Sequence, residues 1–258
     1  PVGRPKRRRL GQNFLVDSTI AERIVALLDD EPSRILEIGP GKGALTQPLL
    51  ERFGRVMAVE VDENLVPPLV QRFGEDGLDV RHADALKDDL DPLLADEAPW
   101  QVASNLPYSV GTAILRRLML RHDLFTRLVV MLQREVAVRV VAEPGQGNHG
   151  LMALERAAWA ESWTAFDVHP RAFRPMPKVT SAVVVLDLRP PVADPADIKR
   201  ALKIAARALT LPRKKLTNAL GGAMTREAVE AAGLDPDARP GTIPLEGWLR
   251  LAAVPQGR

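Results

Sequence analysis

Asn105-Leu106-Pro107-Tyr108 brings a carboxamide, a stiffening proline and the chain's only tyrosine into four consecutive residues. This set suits chemistry on the exocyclic amine of a nucleobase, adenine N6 above all. That nitrogen is a poor nucleophile because its lone pair is delocalised into the ring. Hydrogen bonds from the amine to the Asn105 side chain and to a backbone carbonyl, such as that of Leu106, favour a tetrahedral nitrogen and aim the lone pair. Pro107 presets the acceptors by fixing the loop. Tyr108 offers a flat face to a base taken out of its stack. No strong general base is needed, only an activated methyl donor and orientation. The same residues also suit an ordinary strand-ending turn, so the reading depends on what surrounds them.

What surrounds them is a glycine-rich turn with acidic partners. Glu37-Ile38-Gly39-Pro40-Gly41-Lys42-Gly43-Ala44-Leu45-Thr46 follows a strand signal and opens a helix. Gly39 and Gly41 let the backbone turn sharply and a ligand approach closer than a Cβ allows. Glu60 ends the next strand, where a carboxylate can accept from both hydroxyls of a ribose. A dinucleotide dehydrogenase uses nearly the same parts. Two details favour S-adenosyl-L-methionine (S-adenosylmethionine): the third glycine is not spaced for packing a pyrophosphate, and acidic Glu37 welcomes a cationic amino-acid group. Asp84, after a third strand, falls on the same carboxyl edge and can accept from an adenine amine. Read alone, Asp84 is an ordinary loop residue.

The elements that must position these residues alternate. Arg34–Ile38, Val56–Val61, Val80–His82, Gln101–Ser104 and Leu128–Leu132 read as strands. Helical patterns run through Ile20–Leu28 (capped by Asp17 or Ser18), Leu45–Leu50, Leu65–Phe73 and Ile114–Leu118. Such alternation predicts an α/β fold, a Rossmann-like parallel sheet with helices on both faces. Two late strands, near Trp163–Val168 and Ser181–Leu188, have no helix of comparable length between them and read as antiparallel to each other. Pro190, Pro191 and Pro195 then punctuate the chain, and only helical periodicity follows. The expected domains are 1–190, Rossmann-like with a basic N-terminal tail, and 191–258, small and all-helical.

Composition narrows the class. At 258 residues and 46% hydrophobic content the chain can bury a real core. The absence of cysteine excludes disulfides and Cys-based metal centres, and no metal is expected. No apolar run reaches membrane-spanning length, and the basic start lacks the apolar stretch of a signal peptide. A cytoplasmic protein is the economical reading. Net charge is only +2, but Arg4, Lys6, Arg7, Arg8 and Arg9 crowd one end, and Arg213, Lys214 and Lys215 form a second knot. Either cluster suits nucleic-acid phosphates or a merely solvated face.

Taken in order, Gly11-Gln12-Asn13-Phe14-Leu15, the Glu37–Thr46 turn, Asn105–Tyr108, Met131-Leu132-Gln133-Arg134-Glu135-Val136 and Phe173-Arg174-Pro175-Met176-Pro177-Lys178-Val179 follow the pattern of ribosomal RNA adenine dimethyltransferases. The chain resembles that family over nearly its whole length. Arg213-Lys214-Lys215-Leu216 and Asn218-Ala219-Leu220 are similar to a further motif in the family's C-terminal domain. The resemblance implies dimethylation of two adjacent adenines in a hairpin near the 3′ end of small-subunit (16S) rRNA. It also implies a pre-30S particle as substrate and a role in small-subunit maturation; apart from the resemblance, a monomer is expected. It implies that Asn13, Leu15, Gly39, Glu60, Asp84 and Asn105 contact S-adenosylmethionine. Phe173 becomes a second face of the base sandwich with Tyr108, where by itself it is an aromatic in a proline-rich loop. The basic C-terminal segment becomes an RNA-phosphate binder.

The sequence departs from the family in places. His149-Gly150-Leu151-Met152-Ala153 stands where the family usually has an aromatic or Lys, then Gly, then a hydroxyl residue. Ser104 replaces a common glycine and Gly111 a common serine. Three alternatives stand beside the small-subunit reading. The macrolide-resistance methylases share the chemistry on large-subunit (23S) rRNA. Leu106, the Lys178-to-Ala182 run and the Arg213–Leu220 segment favour the small-subunit branch over them. A mainly RNA-binding ribosome assembly factor is a second alternative, and a nicotinamide dehydrogenase a distant third.

Overall fold

The apolar runs become neighbouring strands of one seven-stranded sheet. The computed structural model describes residues 12–255, so the basic tail and Gly11 lie outside the described residues. In chain order the strands are β1 (Phe14–Leu15), β2 (Ile35–Ile38), β3 (Val56–Glu60), β4 (Leu78–His82), β5 (Trp100–Asn105), β6 (Phe125–Gln133), β7 (Ala160–Val168), β8 (Phe173–Arg174) and β9 (Ser181–Leu188). The sheet order is β4-β3-β2-β5-β6-β9-β7. β2 to β6 run parallel, and β9 runs antiparallel along β6. All of β2 and β3, and β5 up to Ser104, are buried, as central strands of a parallel sheet require.

Helices Ser18–Val25, Thr46–Phe53, Val66–Phe73 and Gly111–Met119 fall where the periodicity predicts them. Asp17, rather than Ser18, caps the first, its carboxylate accepting from the Thr19 and Ile20 N–H groups. The expected α/β, Rossmann-like class is therefore the observed one, with a segment from Pro195 onward that is helical among the described residues. Because β9 opposes β6, its first residue, Ser181, stands opposite Gln133 at the carboxyl edge of the parallel strands. β1 and β8 form a separate antiparallel ribbon that pairs Leu15 with Phe173. No periodicity signals it, since each strand is two residues long. No helix among the described residues is long and apolar enough to cross a membrane.

The division into compact units differs from a cut near residue 190. Among the described residues, one unit holds the chain through Ala137 together with Ser162–Leu188; the other holds Val138–Glu161 together with the chain from Arg189 on. Helix Leu151–Trp159 joins the second unit because it buries Met152, Ala153, Leu154 and Ala158 and packs on helix Pro195–Leu209. The buried Arg156 guanidinium reinforces the assignment by donating to the Val140 and Ala142 carbonyls and pairing with Glu143 at 2.9 Å. In the same unit, the small buried residues Ala201, Ala205 and Ala208 allow close packing of helix Leu245–Ala253, which carries the fully buried Trp248.

Candidate active site

The glycine turn after β2 has the geometry its composition requires. Gly39 takes φ +68°, in the left-handed region open mainly to glycine, and a Cβ there would project into open space. At Gly41 a Cβ would come within 3.0 Å of the Phe14 ring. The Gly39 N–H donates to the Val59 carbonyl at 2.9 Å, which ties the turn to the end of β3. A cavity of about 390 Å³ opens beside this turn, in the size range of small-molecule sites.

Two buried acids flank the turn. Glu60, 2% exposed, accepts from the Gly41 N–H at 3.1 Å and the Asp62 N–H at 2.9 Å. Burial pushes its carboxyl up, and those N–H bonds pull it back. Glu37 is 1% exposed and accepts from the Thr46 hydroxyl at 2.6 Å. Burial pushes Glu37 up to about 8, against the lowering Thr46 bond and with the nearby Glu60 adding a further push upward. A cationic ligand group suits such a place and an anionic one does not. Asp84 lines the cavity but is locally committed: its carboxylate accepts from the Leu86 N–H and pairs with Lys87 at 3.2 Å.

The Asn105–Tyr108 loop leaves β5 at the same cavity. Asn105 Nδ2 donates to the Asn13 carbonyl at 3.1 Å. The amino half of the amide is thus committed to the protein, and the carbonyl half is the one that can accept from an amine. The Leu106 N–H donates to the Met131 carbonyl of β6, and the Pro107 carbonyl accepts from the Val110 and Gly111 N–H groups. Both ends of the loop are therefore held. Tyr108 lines the cavity, and its hydroxyl lies 2.6 Å from Ser181 Oγ. Burial raises the phenol's pKa, and the Ser181 bond acts against that rise. Ser104, in place of glycine, donates its hydroxyl to the Ile38 carbonyl at 2.6 Å and fastens β5 to β2 just before Gly39.

The structure brings Asn13, Gly39, Gly41, Glu60, Asp84, Asn105, Leu106, Pro107 and Tyr108 to one cavity. Leu15 is buried and borders only a small adjoining cleft, together with Glu37 and Lys42. Phe173 requires a correction. It is fully buried, paired with Leu15, and belongs to the apolar core with Ile24, Leu28 and Val185 rather than to the cavity wall. The β1–β8 ribbon draws it inward, so it offers no face to a ligand here. Sequence reasoning missed Ser181 as a partner of Tyr108, because 73 residues separate them and no local signal links them. It also gave no separate role to Gln12, which lines the cavity and whose buried Oε1 has no hydrogen-bond partner among the described residues.

Arg213, Lys214 and Lys215 belong to the second unit and are exposed. Lys215 pairs with Asp237 at 3.1 Å. His149, from the departing segment, lies in that unit too; it is buried, with Nδ1 2.9 Å from the Gly241 carbonyl oxygen.

A family model described as ribosomal RNA adenine dimethylase matches residues 3–256. The Ribosomal RNA small subunit methyltransferase A of Geobacter metallireducens is 39% identical, over 95% of this chain and 94% of that protein. Among solved structures, the 23S rRNA methyltransferase ErmE is 26% identical with a TM-score of 0.71, over 93% of this chain and 98% of that one. A dimethyladenosine transferase from Plasmodium falciparum, 21% identical with a TM-score of 0.78 over 92% of this chain and 95% of that one, shares the fold.

Proposed function

Because the chain belongs to the ribosomal RNA adenine dimethylase family, we propose that it dimethylates N6 of two adjacent adenines in the 3′-end hairpin of small-subunit rRNA. S-adenosylmethionine is the proposed cofactor, and a cytoplasmic pre-30S particle the proposed substrate. The observation that carries this reading is a single cavity that holds both the Gly39–Gly41 turn with Glu60 and the Asn105–Tyr108 loop. The residues fit the cofactor: a glycine cradle, two buried acids and the orphaned Gln12 Oε1 together suit a nucleoside that carries a cationic amino acid.

When bound, S-adenosylmethionine supplies a methyl group already activated on a sulfonium. Glu60 takes the ribose hydroxyls. Asp84 takes the adenine amine of the cofactor, with its carboxylate shared with Lys87. The backbone at Gly39 and Gly41, with Asn13, Leu15 and Asn105, encloses the remainder. The carbonyl half of Asn105 and the Leu106 carbonyl accept from the target amine and direct its lone pair. Tyr108 holds the extracted base by stacking, and the outgoing proton leaves to solvent. Arg213, Lys214 and Lys215 contact RNA phosphates.

The small-subunit target is supported by the 39% identity to a relative named for that subunit, against 26% to the structure named for 23S rRNA. The test is transfer of labelled methyl to small-subunit particles that lack adenine dimethylation, with naked large-subunit rRNA in parallel. Label in N6,N6-dimethyladenosine from the 3′-end hairpin is expected. Label only in the large-subunit RNA overturns the target, and no incorporation despite cofactor binding turns the reading to an assembly factor.

A further inference from the structure

We infer that Ser181 is a positioning residue for methyl transfer: it holds the Tyr108 ring by its hydroxyl so that one face stays presented to the cavity. The inference rests on the reading of Tyr108 as the stacking platform and adds to it. Ser181 belongs to the Lys178-to-Ala182 run and meets the site described above through its bond to Tyr108. Its side chain is fully buried, and its Oγ lies 2.6 Å from the Tyr108 hydroxyl, where either group can donate.

The placement is enforced by the sheet. Ser181 opposes Gln133 across β6–β9, and the Arg134 N–H donates to the Thr180 carbonyl at 2.9 Å. The catalytic loop hangs from the same strand through the Leu106 N–H and the Met131 carbonyl, at 3.2 Å. β6 thus sets both ends of the Tyr108 side chain in one frame, the backbone through Leu106 and the hydroxyl through Ser181. A tyrosine held at Cα and at its oxygen retains one easy motion, a flip about its long axis. That flip exchanges two equivalent faces and leaves the stacking plane where it was. Without the anchor, a half-buried ring reaches other rotamers, and each extracted base must wait for the productive one. The fully buried Ser181 hydroxyl finds its partner in the Tyr108 phenol, so the bond satisfies the serine and restrains the ring together.

The test is a double-mutant cycle with a spectroscopic readout. Ser181→Ala and Tyr108→Phe are each expected to lower kcat/KM by roughly three- to tenfold, with the loss in kcat. Affinity for RNA stays, because phosphate contacts dominate it. The double variant is expected to be no worse than either single one. Tyr108 is the only tyrosine, so tyrosine labelled at Cζ gives one carbon resonance, which Ser181→Ala must shift. An unshifted resonance, a kcat/KM within twofold of the parent, or additive losses in the double variant each overturn the inference. If Ser181→Ala does not fold, Tyr108→Phe decides alone, and a full rate there is fatal. Full activity in Tyr108→Ala sinks the platform reading itself, whereas activity lost in Tyr108→Ala but kept in Tyr108→Phe and Ser181→Ala removes only the anchor.

Discussion

At the scale of single residues, Glu37 makes the site's chemistry accessible to pH. Its carboxyl ionises near 4.5 when unfolded and at about 8 when buried beside Thr46. The folded pKa is raised, so its contribution to stability is fully present below pH 4.5 and is lost as pH rises toward 8. Glu37→Gln should therefore gain on the parent in urea unfolding across that window, by a few kcal/mol at its upper end. A difference that stays flat with pH removes the burial argument. A cationic ligand group lowers the same pKa, so cofactor binding at neutral pH should release a proton. Affinity should then rise with pH up to about 8. Calorimetry in buffers of different ionisation enthalpy reads that proton directly; no release means the cation sits elsewhere. The acids, glycines and Asn105–Tyr108 are legible in the sequence because their chemistry is local to one turn or one strand end. The Tyr108–Ser181 bond is not, because it exists only once β9 lies along β6.

At the scale of elements, long strands and helices are legible in the sequence and the short pairings are not. β6, nine residues and largely apolar, leaves little choice of structure. β8 carries two residues, so its pairing to β1 is decided by tertiary context and not by periodicity. That pairing reassigns Phe173 from a stacking face to a core side chain. The two roles separate cleanly in a variant. Phe173→Ala should cost about 3–5 kcal/mol of unfolding free energy, the range for emptying a large buried site. A loss of activity with stability unchanged, measured by chemical denaturation, returns Phe173 to the substrate. The departures from the family also acquire physical content at this scale. Ser104 fastens β5 to β2, and His149 bonds to the Gly241 carbonyl within the second unit.

At the scale of the whole molecule, a boundary near residue 190 rests on proline punctuation, which marks breaks in elements and not which elements pack together. Val138–Glu161 joins the C-terminal helices through burial that a linear reading does not register. RNA affinity is also a property of this scale, since it sums phosphate interactions over a surface. Lys215 already answers Asp237, while Arg213 and Lys214 are exposed beside it. Arg213→Ala and Lys214→Ala should each flatten the dependence of log affinity on log salt, by about one unit for every phosphate the variant no longer neutralises. Lys215→Ala should flatten it less. Fluorescence anisotropy of a labelled hairpin across a salt series measures the slopes, and equal slopes in all variants exclude the segment from the interface. The β1–β8 ribbon also sets a timetable for synthesis. Leu15 finds its partner Phe173 only after about 160 further residues have been made, which takes roughly 8–30 s at the usual pace of translation. Asn13, whose carbonyl orients the Asn105 amide, waits beside an unfinished ribbon until then. In a nascent chain the glycine turn and the Asn105–Tyr108 loop therefore emerge before the ribbon beside Asn13 can form.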